Sequence, residues 1–202
     1  MRNEIFDTLI EKFKTNGYHL YMIGGTSRDF LLGIYFTDYD FVTDATPEQM
    51  KTFIPEANYR FEQYGSVRLK VNGIKTDITT LRIEKGYSDH RHPNKIEFTT
   101  KLEEDVVRRD FTINALYINE NMETIDLVNG VSDLNNKIIR FIGDPYTRIK
   151  EDPLRILRAE RFKDKLGFTF DKETELAINE LHYLIEELNP EKVKEEIRKR
   201  KD

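Results

Sequence analysis

The sequence predicts an α+β fold followed by a small all-helical region. Three observations carry this expectation. Alternating and β-branched runs crowd the earlier part of the chain, a two-residue hairpin signal joins two of them, and helical periodicity takes over afterwards. In order, Ile5, Phe6, Leu9, Ile10 and Phe13 mark one face of a first helix that stops at Asn16-Gly17. A strand over 19–23 (HLYMI) leads into Gly24-Gly25 and a short helix from Thr26 or Ser27 to Gly33. The next strand, DYDFV (38–42), alternates charged and apolar residues. SVRLKV and IKTDITT flank Asn72-Gly73, the dipeptide favoured in two-residue hairpin turns. IEFTT (96–100) reads as a further strand. Helices are expected in EEDVVRRDFTINAL, near 131–137, and in PLRILRAERFKDKL, TELAINELHYLIEEL and PEKVKEEIRKR. The strand-rich part ends near residue 142, so the expected domains are 1–142 and 143–202.

Composition narrows the setting. Of 202 residues, 38% are hydrophobic and 34% charged, with no stretch near the roughly 20 apolar residues that span a bilayer. The N-terminus carries acidic residues at helical spacing and does not read as a signal peptide. The absence of cysteine excludes disulfides and thiolate metal sites and suits a reducing cytoplasm. A net charge of −5 supplies no global field for nucleic acid, so any RNA contact must come from local basic clusters.

Asp38 and Asp40 flank Tyr39 on the expected strand, which points both carboxylates to one face. Two such groups repel unless a cation lies between them, and hard oxygen ligands suit Mg²⁺. A bare D-x-D is also compatible with a solvated strand face. Asp77 would add a third carboxylate if its strand lies beside 38–42. The Gly24-Gly25 turn sharpens the reading, because it opens a helix whose first N–H groups favour anions and lets a triphosphate approach the backbone. Arg28, on the first turn of that helix, adds a charge for phosphate.

With these residues in place, the sequence resembles the class II nucleotidyltransferases, the group of CCA-adding enzymes and bacterial poly(A) polymerases. The resemblance rests on GGTSRDFLLG with DYDFVTDATPEQM, then TDITTLR with YSDHRHPNKIEF, EEDVVRRDFTINALYIN, and IIRFIGDPYTRIKEDPLRILRAERFKDKLGF, with a weaker echo at LNPEKVKEEI. It implies a polymerase-beta-like head on a mixed β-sheet and a helical, nucleotide-selecting neck. It implies metal ligation by Asp38 and Asp40, a phosphate site at Gly25 and Arg28, nucleotide binding by Arg109, and ribose recognition at Asp110. It also implies a protein template for the base at Asp152 and Arg155. The chemistry of that template is readable: a carboxylate accepts from the exocyclic amine of cytosine or adenine, while uracil and guanine present a carbonyl there.

The same residues carry structural alternatives. Asp152 before Pro153 is also a good N-cap. Arg158 and Arg161 continue a three-residue spacing from Asp152 and Arg155 as phosphate contacts or ordinary surface charges. His90 and His92 lack a metal-ligand partner at the usual spacing. The expected activity is addition of CMP and AMP, from CTP and ATP, to tRNA 3′ ends by a two-metal mechanism. A poly(A) polymerase or an enzyme adding only C or only A shares these motifs. A non-catalytic RNA- or nucleotide-binding module is the alternative of another class.

Overall fold

The computed structural model describes residues 4–87 and 93–200. His90 and His92 lie outside the described residues. The chain forms two compact units. The first comprises Met1–Glu84, Ile96–Arg108 and Asn114–Leu127, and the second Lys85–Lys95, Arg109–Ile113 and Val128–Asp202.

The amphipathic first helix is α1 (Glu4–Thr15), with Ile5, Phe6, Leu9 and Phe13 buried. Strand β1 (Leu20–Met22) leads into α2 (Gly24–Leu32), which begins earlier than expected, and then β2 (Tyr39–Thr43). Helix α3 (Pro47–Phe53) follows, closed by a reciprocal capping box between Thr46 and Gln49. Next come β3 (Asn58–Phe61), β4 (Ser66–Val71) and β5 (Ile74–Thr80). The β4–β5 turn takes the left-handed geometry that Asn-Gly permits, with φ of 51° at Asn72 and 81° at Gly73. A separate ribbon pairs β6 (Arg82–Tyr87) with β7 (Pro93–Phe98).

The long helix expected over EEDVVRRDFTINAL does not form. Helix α4 covers only Leu102–Val106, a 3₁₀ turn covers Thr112–Asn114, and Leu116–Ile118 is strand β8. The cause is Asp105, fully buried, whose carboxylate accepts from the amide of Arg82 (3.1 Å), Nε of Arg108 (2.8 Å) and the hydroxyl of Tyr117 (2.9 Å). Three strong donors around one carboxylate fix this segment against continued winding. Strand β9 (Thr124–Asp126) completes a mixed sheet in the order β3-β4-β5-β2-β1-β8-β9, in which only β2 and β5 pair in parallel. The core under one face joins Phe6, Phe13, Tyr39, Phe41, Val67 and Ile78.

The second unit holds α5 (Gly130–Asn135), β10 (Ile138–Ile139), α6 (Pro145–Glu151), α7 (Leu154–Leu166), β11 (Thr169–Phe170), α8 (Lys172–Leu181) and α9 (Pro190–Lys199). Within it β10 and β11 pair in parallel. Phe111 packs on Phe141 and edge-on to Phe162, with ring centroids 4.8 and 5.7 Å apart. Among the described residues, no helix is long and apolar enough to cross a membrane.

Candidate active site

In the first unit, a single threonine assembles the glycine turn and the carboxylate strand. The buried Thr26 hydroxyl donates to the carbonyl of Asp38 (3.1 Å) and accepts from the amide of Asp40 (2.8 Å). The amide of Ile23 donates to the carbonyl of Asp40 at 3.1 Å. The turn and the start of β2 are thereby locked together through backbone groups. Gly24 has φ 70°, and a Cβ there would stand 3.4 Å from Oδ2 of Asp40. A side chain would be strained by the backbone and would touch the carboxylate, so the left-handed conformation is what calls for glycine here. The N-cap of α2 is Ile23, which makes no side-chain cap, leaving the first-turn amides to whatever anion approaches.

Asp38 lies one residue before β2, not within it, and is exposed. Asp77 does lie beside Asp40, since the parallel β2–β5 register pairs the two. Its carboxylate, however, is engaged by Nε of Arg68 at 2.9 Å. Among the described residues, no three His, Cys, Asp or Glu side chains gather as a metal cage. The oxygen-only pair Asp38 and Asp40 fits a hard dication that retains several waters. Arg28, expected to offer a charge to phosphate, lies inside α2 and is buried. It is 4% exposed, and its guanidinium donates to Asp29 (2.8 Å) and to Oδ1 of Asn114 (2.8 Å). Its tip lies 3.6 Å from where a Gly25 Cβ would be, so it does flank the glycine turn.

In the second unit the arginines are interlocked. Arg148, 8% exposed, donates to the carbonyl of Arg109 at 3.0 Å and pairs with Glu151. Arg155, 6% exposed, donates to the carbonyl of Arg148 (2.7 Å) and to Glu151 (2.8 Å). Burial opposes the charge on Arg155, but Glu151, Asp152 and Asp110 raise its pKa overall. Asp110 is 9% exposed, accepts from the amide of Phe111 at 2.8 Å, and lies 2.5 Å from the Arg158 guanidinium. Burial pushes its carboxyl up, yet Arg158, the Phe111 amide, Arg155 and Arg109 together hold it below the ordinary carboxylate value.

Asp152 sits between α6 and α7 as the C-cap of α6, not on the edge of α7. Its Oδ1 accepts from the amide of Leu154 at 3.1 Å, so a helix-entry role is present from one position upstream of the assigned N-cap, Pro153. Arg161 is drawn elsewhere. It donates to Glu196 of α9 at 3.2 Å and lies 4.5 Å from the Phe162 ring centroid. Arg158 and Arg161 are therefore partnered, not loose surface charges. Glu151, Arg148 and Asn114 were not singled out from sequence, although all three fall inside the quoted motifs.

Residues 20–140 match the Poly A polymerase head domain family. The chain belongs to this family. Among curated relatives of this head-domain protein, the CCA-adding enzyme of Lactobacillus helveticus is 40% identical over 188 residues, 93% of this chain and 47% of that protein. The CCA-adding enzyme of Streptococcus mutans is 39% identical, covering 91% of this chain and 46% of the relative. The chain thus spans about half the length of the curated relatives it matches. The solved CCA-adding enzyme of Bacillus stearothermophilus in complex with CTP matches with a TM-score of 0.89 and 33% identity, over 99% of this chain and 49% of that one. A tRNA nucleotidyltransferase complexed with a primer tRNA and an incoming ATP analog matches with a TM-score of 0.76 and 33% identity, over 93% of this chain and 54% of that one.

Proposed function

We propose that the chain is the nucleotide-transferring portion of an RNA 3′-end nucleotidyltransferase, adding CMP and AMP from CTP and ATP to tRNA. The observation that carries this is the Thr26 clamp, which holds the glycine turn so close to Asp40 that a Cβ at Gly24 would stand 3.4 Å from its carboxylate oxygen. That proximity of Gly24 and Asp40 supports a reading of phosphate binding at the turn beside metal binding at the carboxylates. Relatives solved with CTP, or with a primer tRNA and an ATP analog, support the choice of substrates.

In this reading the first-turn amides at Gly25 receive the triphosphate, braced by Arg28. Asp38 and Asp40 hold Mg²⁺. The chemistry a dication supplies there is acidification of the RNA 3′-hydroxyl and charge neutralisation at departing pyrophosphate. Asp110, kept anionic by its arginines, accepts from a ribose hydroxyl, and Arg109 adds positive charge toward the nucleotide. Asp152 accepts from the exocyclic amine of cytosine or adenine, and Arg155, fixed by Glu151, donates to the neighbouring ring acceptor. Arg158 acts by holding Asp110, and Arg161 by holding α9. The protein's task is mainly positioning and charge compensation. A cytoplasmic setting belongs to the same reading.

The test is incorporation by this polypeptide on a tRNA transcript ending before its CCA, with each nucleotide supplied in turn. CTP and then ATP should be incorporated to a fixed length. Long tails from ATP alone would make it a poly(A) polymerase, and addition of only C or only A a partial enzyme. Nucleotide binding without turnover would leave a non-catalytic module.

A further inference from the structure

The face of the large sheet that carries Asp40 has a second feature. Strand register sets Asp40, Asp77, Arg68 and Asn58 in one row across β2, β5, β4 and β3. The pair Lys75 and Lys70 forms the adjacent row, and Thr79, Ser66 and Phe61 form the row on the other side. Alternate residues of the same strands, among them Val67, Ile78 and Phe41, turn into the core, so these rows share the open face. Strands β3 and β4 contain Arg60, Arg68 and Lys70, all exposed, and no carboxylate. Glu62, just beyond β3, is ion-paired with Lys51. The Phe61 ring, 38% exposed, has the guanidinium of Arg68 at 5.3 Å and that of Arg60 at 5.6 Å from its centroid.

We infer that this β3–β4 face is a track for the single-stranded 3′ end of the acceptor RNA, with a base on Phe61 and phosphates along Arg60, Lys70 and Lys75. The inference rests on the reading of the chain as an RNA 3′-end nucleotidyltransferase. An aromatic platform set among cations is the arrangement that binds single strands without sequence preference. Neighbouring strands lie about 4.8 Å apart, so β2 to β3 spans roughly 14 Å. That is about four nucleotides of a stacked strand at ~3.4 Å each. A chain of net charge −5 has no general attraction for RNA and needs such a local patch. Charges that merely protect the β3 sheet edge from pairing would account for the cations, but not for an exposed ring near two of them.

The experiment measures affinity for a labelled tRNA minihelix ending before CCA, across a salt series, with CTP affinity measured in parallel. Phe61→Ala should weaken minihelix binding about tenfold, and Phe61→Tyr should restore it. Lys70→Ala should lower the slope of log affinity against log salt by about 0.7. CTP affinity should stay within about twofold of the parent in all three. Minihelix affinity and slope unchanged in Phe61→Ala and Lys70→Ala, with the parent still incorporating nucleotides, would overturn the track and leave the proposed function standing. A parent that does not bind the minihelix even at low salt would overturn both.

Discussion

Asp38 stands exposed just before a central strand, whereas Asp110 is 9% exposed and gripped by an amide and a guanidinium. Both are carboxylates with a role in the same proposed reaction. In the first unit, positioning acts on the main chain: the Thr26 hydroxyl ties it at 38 and 40. In the second unit, positioning is done by side chains, through Arg148, Glu151, Arg155 and Arg158. Function and stability should therefore separate in the first unit and be entangled in the second.

The largest effect is expected where the two are separate. Asp38→Ala and Asp40→Ala should each reduce incorporation at least a hundredfold, ~2.7 kcal/mol, with unchanged melting. A parallel loss of melting temperature would break the comparison, and activity above a hundredth of the parent would remove the metal-ligand assignment.

Asp110→Asn should instead cost stability, about 2 kcal/mol in urea unfolding at neutral pH. That is less than a fully buried pair would lose, because the Arg158 side chain is 39% exposed and solvent screens it. The folded carboxyl titrates below its unfolded value of about 3.9. Its contribution is thus complete above that value and is lost as pH falls through the lower folded one. The gap between parent and variant should begin to close as pH falls below about 4 and vanish only below the lowered folded value, and a gap that persists there would show a cause other than the anion.

The smallest effect should come from Asp152→Asn. The amide keeps the oxygen that accepts from Leu154, so melting should hold. Its NH₂ can donate to uracil O4, so the kcat/KM ratio of CTP to UTP should fall about fivefold, ~1 kcal/mol. An unchanged ratio with full activity would leave Asp152 as a helix-entry residue and move base selection elsewhere.

Local signals carried much of the fold. Asn72-Gly73 specified its hairpin, and the spacing of Ile5, Phe6, Leu9 and Phe13 specified α1. Thr46-Pro47-Glu48-Gln49 is an equally local capping-box signature for α3, which went unread. What local pattern could not carry was the fate of buried charge. Helical periodicity around Asp105 gave no hint that Arg82, Arg108 and Tyr117 would converge on it. In the candidate site, motif order named the residues but not their partners. The pairing of Arg161 with Glu196 joins helices 35 residues apart, and a three-residue repeat along one helix is silent about its neighbour. Nothing near Arg28 in sequence reveals its partner Asn114, 86 residues away.

The Asn72-Gly73 turn also bears on the order in which the molecule acquires its shape. A hairpin closed by two residues forms on a microsecond scale, while β2 must find β5 across the whole of α3, β3 and β4. The cationic β4 edge would then exist before Asp40 has Asp77 beside it, and the carboxylate row would be completed only when that slower parallel pairing locks. On that order the like charges of the two aspartates would stay apart until Arg68, carried on the same hairpin as Asp77, had engaged one of them.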